Sequence, residues 1–384
     1  MCKFAGICRI IGFMRIRSAA VVLFFCVFAA ISVSAQSRRV APTPTPTPPD
    51  EIQRVRTEEV KLNMLAFDEN GAFFPDVTAD DIVITENNIL HPPSSVRRIP
   101  ANVVIVMDTG GELRQVKSLD QTRKVARAVV SSLRKGDSIA IVEYSDKADV
   151  VQEWTDDKEQ ALAAINKTKF GRRSDFVGAI DLSRGLLQRN PADNRHLVLI
   201  TDGTDSRSSS SAKFDALQKL LTTDISVHVI SYTAMEVADI EPRTKTVSKT
   251  PPPNALPDEV INQLPNDVKA GAQRPRVGPT INLDRQLLRT LRAREADLMN
   301  SQDQLEKLSE ATNGEFILPE TVDEMTQKAP LVARMIDAAY VVTYLPKEPL
   351  NDRKGIVERD IEVTSKRAGL VVQAKRKLVV NNGQ

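Results

Sequence analysis

The sequence predicts an α/β fold: a doubly wound, mostly parallel sheet, joined to a small discontinuous β unit drawn from both chain ends. Three observations carry this. Between residues 101 and 338 short apolar runs alternate with segments of helical period, as in a parallel sheet covered on both faces. Strand-like segments with no helix between them stand at 59–100 and return at 339–384. The chain of 384 residues, 41% hydrophobic and 27% charged, is long enough for more than one core and has an ordinary globular composition.

Residues 1–35 precede the folded part. Lys3, Arg9, Arg15 and Arg17 stand ahead of an apolar run from Ser18 to Ala35, and Val33-Ser34-Ala35 supplies small residues for a signal peptidase. That order reads as a secretory signal peptide, with Met14 as an alternative start. About eighteen apolar residues also suffice to span a bilayer, so an uncleaved membrane anchor is the competing reading. The Val-Ser-Ala site favours cleavage and export to the periplasm or beyond. Phe24 and Phe25 before Cys26 disfavour lipoprotein processing. Cys2, Cys8 and Cys26 all lie in this segment. The mature chain therefore has no thiol, which excludes disulfides, zinc–thiolate sites and cysteine nucleophiles. Cleavage removes four basic and no acidic residues, moving the formal net charge from +2 to −2. With no basic block, 4% aromatic residues and one tryptophan, Trp154, nucleic acid is not an expected partner.

Residues 36–58 form a Pro/Thr-rich linker. The alternation from Pro42 to Pro49 favours an extended polyproline II spacer, because proline fixes φ and lacks a donor. Val60, Leu62 and Met64 then alternate as a strand, Asp68-Glu69-Asn70-Gly71 supplies a turn, and Ile82 to Ile84 is a strand ending at Asn87-Asn88.

The central domain, 101–338, opens with the buried-type strand Val103 to Met107. Val116, Leu119, Arg123, Ala126, Val130 and Leu133 step at helical spacing up to Gly136-Asp137. Ser138 to Val142 predicts a strand, Lys158 to Lys167 and Val177 to Leu187 helices, and Leu197 to Thr201 and Ile225 to Ser231 strands around a helix near Leu217. Ser208 to Ser211 reads as a solvated loop. Residues 234–282, rich in proline and without period, read as a flexible insertion. Leu291, Leu298 and Leu305 recur every seven residues, with Leu287 and Leu308 beside them. Such a seam serves coiled-coil pairing, but with so few heptads packing on its own domain is preferred. Glu315 to Leu318 is a last strand, followed by a helix through Met325, Val332 and Ile336. Tyr340 to Tyr344, Arg359 to Thr364 and Leu370 to Val380 complete the β unit.

Ligands of open parallel sheets sit outside the carboxyl ends of the strands. Asp108 and Asp202 fall at two such ends, and Ser174 opens the Val177 helix between them. Two carboxylates and a hydroxyl on neighbouring loops make a hard-oxygen site suited to Mg²⁺, Ca²⁺ or Mn²⁺. The three histidines, His91, His196 and His228, are scattered, and no nucleophile elbow, P-loop or dinucleotide turn is present.

Val103 to Glu112, the Ser174 loop, and Leu199-Ile200-Thr201-Asp202-Gly203 resemble the three segments of a von Willebrand factor type A domain. The flanks, Asp68 to Gly71 through Glu86, Ala311 to Gly314 and Ala339 to Tyr344, resemble the VWFA-related proteins of acidobacteria. The resemblance implies a doubly wound fold, a protein partner, and a metal-ion-dependent adhesion site with Asp108, Glu112, Ser174 and Asp202 as ligands to Mg²⁺ or Ca²⁺. Two departures mark the site as degenerate. Gly110 and Glu112 stand where the family has serines, and a built-in glutamate satisfies the cation that would otherwise capture a partner's carboxylate. Arg172 and Arg173 precede Ser174, where a guanidinium able to pair with Asp108 or Asp202 takes the cation's place.

The expected function is an exported protein-binding module and not an enzyme, with no small-molecule substrate. The alternatives are a phosphatase-like enzyme using Asp108 as nucleophile, with Glu112 recruited as its second carboxylate, and a structural scaffold with a dead site. The proline-rich insertion leaves the sheet on the side of Asp108 and Asp202. It either contributes to that surface or is a tolerated surface loop, the latter preferred.

Overall fold

A computed structural model describes residues 59–111, 118–249, 261, 265–266, 268–269, 278–350 and 355–382. All belong to one compact unit, Arg56–Gln384. The expected signal peptide, the linker and Glu112 lie outside the described residues.

The described part of the chain opens with β1 (Val60–Phe67), β2 (Ile82–Glu86), β3 (Ile89–His91) and β4 (Pro93–Arg97). In β1, Val60, Leu62, Met64 and Ala66 are buried, the period of two that puts one side of a strand into a core. Asn87 and Asn88, at φ 48° and 64°, join β2 to β3 with the paired left-handed residues a tight hairpin requires.

The alternating region supplies β5 (Asn102–Asp108), α1 (Leu119–Ser132), β6 (Ser138–Tyr144), β7 (Ala148–Thr155), α2 (Lys158–Ile165), α3 (Phe176–Arg189) and β8 (Arg195–Thr201). It continues through α4 (Ser210–Leu221), β9 (Ser226–Ser231), α5 (Thr233–Ile240), β10 (Val247–Ser248), β11 (Thr280–Ile281), α6 (Arg285–Ala311), β12 (Phe316–Ile317) and α7 (Val322–Asp337). The strands form one sheet in the order β12-β9-β8-β5-β6-β7, parallel throughout except for β7. Every residue of β5 is buried. Val103, Ile105 and Met107 face α1, α2 and α7, while Val104 and Val106 face α3, α4 and α6. Burying each such side chain contributes roughly 1.5–3 kcal/mol, which is why an uninterrupted apolar run settles at the centre of a two-sided sheet.

The remaining strands are β13 (Ala339–Tyr344), β14 (Ile356–Ser365), β15 (Val371–Ala374) and β16 (Lys377–Asn381). They join the N-terminal ones in two sheets, β15-β1-β13-β4 and β16-β14-β2-β3, which share a core of Val60, Leu62, Met64, Ile84, Val342 and Ile361. Within it Arg359 pairs with buried Glu86, which also accepts from Tyr344 Oη at 2.9 Å.

Four expectations change. Ala148–Thr155 is a strand that its half-polar composition conceals: it is an antiparallel edge with most residues only partly buried. Ser209 is no loop residue but the cap of α4, accepting from Ala212 N at 3.2 Å. Residues 234–282 are not uniformly irregular, since they begin as α5 and include the β10–β11 ladder. Leu370 to Val380 is two strands, because the chain crosses from one sheet to the other at Lys375-Arg376. The leucine helix packs on its own domain: Leu298, Leu305 and Leu308 are buried, and only Leu287 at its start is largely exposed.

Candidate functional site

Strands β5 and β8 are neighbours, with Met107 opposite Ile200, so Asp108 and Asp202 close adjacent parallel strands on one side of the sheet. Both are fully buried. Asp108 Oδ1 accepts from Gly110 N at 3.2 Å and Oδ2 from Tyr232 Oη at 2.5 Å. Tyr232 directly follows β9, so a third strand end contributes. Asp202 Oδ1 accepts from Thr204 N and Thr204 Oγ1, each at 2.8 Å. Its Oδ2 accepts from Arg294 Nη2 at 3.0 Å.

Ser174 is buried beside them, and its hydroxyl donates to Thr204 O at 2.8 Å. Asp205, next in the same loop, accepts from Val177 N at 2.8 Å. It thereby serves the first turn of α3, whose own Asp175 makes no side-chain cap, and a carboxylate there is favoured by the helix dipole.

Arg294 projects from α6, the long helix laid across this end of the sheet. Leu305 of the same helix sits where a Cβ on Gly203 would lie 2.6 Å from its Cδ1, so the Asp202-Gly203 turn requires glycine both for its φ of 71° and for this approach. Arg294 also lies 3.8 Å from Glu236 of α5 and 3.7 Å from Asp297. Glu236 is buried, so the start of the proline-rich segment belongs to the site. Lys213 of α4 adds a second cation, donating to Ser301 Oγ at 2.7 Å. Burial lowers its pKa, an effect opposed by Asp297, Asp202 and Asp205.

The expected pairing of Arg172 or Arg173 with the aspartates is not what the described contacts contain. Both are exposed, and the backbone N of Arg173 donates to Asp146 at 3.2 Å. The guanidinium at Asp202 comes from Arg294, 92 residues along the chain. Gly110 is also locked in place: a Cβ there would meet Arg173 O at 1.9 Å and Ser145 Cα at 2.9 Å, so the serine usual in the adhesion motif has no room.

A bound Mg²⁺ or Ca²⁺ takes six or more oxygens at roughly 2.0–2.6 Å. The described candidates do not fit that demand. Each carboxylate oxygen of Asp108 and Asp202 already accepts a hydrogen bond, the Ser174 hydroxyl is turned to a carbonyl, and a dication beside Asp202 would face the Arg294 charge. The arrangement is that of a buried carboxylate neutralised by a planar cation.

Asp108, Ser174 and Asp202 are thus brought together, while Glu112 lies outside the described residues. The sequence pattern missed Thr204, Tyr232, Glu236 and Arg294. The strand-end rule that found Asp108 reaches Tyr232 as well; no local signal marks Arg294.

Residues 103–204 match the family model of the von Willebrand factor type A domain. Over that stretch the chain is similar to such a domain. Among solved structures, it is similar to the conserved hypothetical protein BatB of Bacteroides thetaiotaomicron, at 15% identity over 62% of this chain and 98% of that one, with a TM-score of 0.36. A von Willebrand factor type A protein of Catenulispora acidiphila shares 10% identity over 85% and 75%, with a TM-score of 0.41. Manganese-loaded TRAP protein of Plasmodium vivax shares 12% over 85% and 99%, with a TM-score of 0.35. No curated relative matches the sequence.

Proposed function

We propose that this chain is an exported protein-binding module whose von Willebrand domain engages its partner without a bridging divalent cation. Domains of this type commonly mediate protein interactions or metal-dependent adhesion. The observation that favours the metal-free form is Arg294 Nη2 at 3.0 Å from Asp202 Oδ2, both groups inside the rim of the sheet. An adhesion site works by presenting an electron-poor cation to a partner's carboxylate. A guanidinium paired with Asp202 and flanked by Glu236 and Asp297 presents no vacant coordination position to a partner's carboxylate.

The phosphatase alternative finds little support in the same geometry. A nucleophile must reach its substrate, whereas Asp108 is fully buried with Tyr232 and Gly110 on its two oxygens.

The test is a thermal-shift series on the mature protein with Mg²⁺, Ca²⁺ and Mn²⁺, paired with isothermal titration. Stabilisation below about 1 °C at millimolar cation is expected, because a ligand at concentration c bound only by the native state stabilises it by RT ln(1 + c/Kd), which is negligible when c is far below Kd. Stoichiometric uptake of any of the three, abolished by Asp202→Ala, would overturn the reading.

A further inference from the structure

The β sandwich contains an interrupted strand position, and it bears on where such a module takes hold of a partner. Strand β1 pairs with β13 from Val60 to Leu65, but with β15 only from Met64 to Phe67. On the β15 side, residues 60–63 have no strand partner among the described residues. Ala66 N donates to Ala338 O at 3.1 Å, so by the alternation of an antiparallel ladder the even-numbered residues of β1 turn their backbone to β13. The backbone groups of Lys61 and Asn63 turn the other way, into the space that β15 would have filled had it continued. Asn63 O is engaged by Asn313 Nδ2 at 3.3 Å; Lys61 N, Lys61 O and Asn63 N remain directed at the gap.

The far side of the gap is a second strand edge. After Ala374 the chain leaves this sheet and β16 pairs with β14 alone. Ile361 N donates to Arg376 O at 2.7 Å and Asn382 N to Gly355 O at 2.9 Å, so the even positions of β16 face β14 and the backbone of Val379 faces away from it. Between the two edges lies a cavity of about 430 Å³, closed on a third side by the connection from α4 to β9, Thr222 to Ser226.

We propose that this gap accepts one extended segment of a partner protein, which continues the position of β15 antiparallel to β1. This deepens the binding-module reading by naming its surface, and it rests on that reading. The occupant is a single strand because the recess has three walls: an edge embedded in a second copy's sandwich has no way in. Five residues at about 3.3 Å each span the open stretch 59–63. Side chains opposite Val60 and Leu62 share the face of those buried residues and are apolar. The side chain opposite Lys61 is acidic: Lys61 is half exposed with one carboxylate partner among the described residues, Asp193 at 2.7 Å, and Lys375 places an ammonium at the closed end. The Lys375 Nζ donates to Leu221 O at 2.6 Å and Thr223 O at 3.3 Å, and burial lowers its pKa to about 8, so it carries its charge at neutral pH.

The experiment uses the mature chain and a fluorescein-labelled peptide, acetyl-Thr-Val-Glu-Val-Thr-amide, followed by anisotropy and by hydrogen exchange at the backbone amides of 61 and 63. Saturable binding and slowed exchange at both amides are expected. Lys61→Pro deletes the open donor while sparing the β13 ladder, and weakens binding by about tenfold or more. Lys61→Ala keeps the donor and changes binding by less than about threefold. If Lys61→Pro does not fold, the peptide N-methylated on the amides that face β1 applies the same test to the unaltered protein, and binds no more than a tenth as tightly. No saturation by about 1 mM, equal binding by Lys61→Pro or the methylated peptide, or a dimer that protects the same amides, overturns the proposal. Cation titrations on the same samples report separately on the metal-free reading, so one can fail while the other stands.

Discussion

Replacing Arg294 by methionine isolates the contact on which the metal-free reading rests. Methionine keeps most of the apolar stem and removes the charge, leaving Asp202, fully buried, and Glu236, 1% exposed, without their shared cation. Removing one partner of a buried ion pair costs about 3–5 kcal/mol. The Arg294 side chain is 17% exposed, so some water reaches the pair and the lower end, about 3 kcal/mol, is expected. For a body of this size that is a fall in Tm of roughly 6–10 °C. The second half of the expectation is a gain. With the guanidinium gone, two adjacent carboxylates attract a dication, and Mg²⁺ or Mn²⁺ at about a hundred times its dissociation constant restores about 2.7 kcal/mol. Chemical unfolding of the parent, Arg294→Met, Asp202→Asn and the double variant, with and without cation, reads both effects. The double variant should be less damaged than the two single losses predict, with a coupling of about 1–3 kcal/mol. A loss under about 0.5 kcal/mol for Arg294→Met, the size of an ordinary surface substitution, would refute the argument. So would a parent protein that responds to cations as strongly as the variant.

Two further expectations concern the same body. Gly110→Ser, which restores the serine of the adhesion motif, should destabilise by about 3 kcal/mol and leave cation affinity unchanged, because its Cβ meets Arg173 O at 1.9 Å; a neutral substitution in a denaturant titration would show the Ser174 loop to be free to move. His196 and His228, bonded to each other at 3.0 Å in adjacent buried strands, both have lowered pKa values: burial, and for His196 also the neighbouring His228, sets them down, His228 to about 3. Below pH 6.5 the unfolded chain takes up protons that the folded one refuses, so stability falls as pH drops from about 6.5 toward 3, by up to about 1.4 kcal/mol per unit for each histidine. In His228→Gln the slope of unfolding free energy between pH 6 and 4.5 should flatten by about 1 kcal/mol per unit, and an unchanged slope would contradict it.

Much of the central sheet was legible because its signals are local. Val103 to Met107 and Leu197 to Thr201 are uninterrupted apolar runs that only a two-sided sheet buries, and parallel topology then carries Asp108 and Asp202 to one rim. His228 falls inside the Ile225 to Ser231 run for the same reason. β7 was not legible: Asp149, Gln152 and Glu153 interrupt its apolar residues, and an edge strand with partly exposed faces imposes no clean alternation. The Leu370 to Val380 run was read as one strand because nothing in its residues marks Lys375-Arg376 as a corner. Only the competition of two sheets for its backbone splits it.

The sequence by itself determined the alternation of strands and helices, the strand-end carboxylates, the missing serine at Gly110 and the confinement of all three cysteines to residues 1–35, since each depends on residue type and short spacing. It also supplied the idea that an arginine takes the cation's place. Which arginine reaches Asp202 was decided by tertiary structure alone. Arg289, Arg292 and Arg294 stand on one helix and are alike in local context; the burial of Leu298 and Leu305 sets the rotation of α6, and that rotation brings Arg294, rather than its neighbours or Arg172 and Arg173, to Asp202. The gap beside β1 has the same origin, because a strand edge is left open by what the rest of the chain does, and no run of four residues records that.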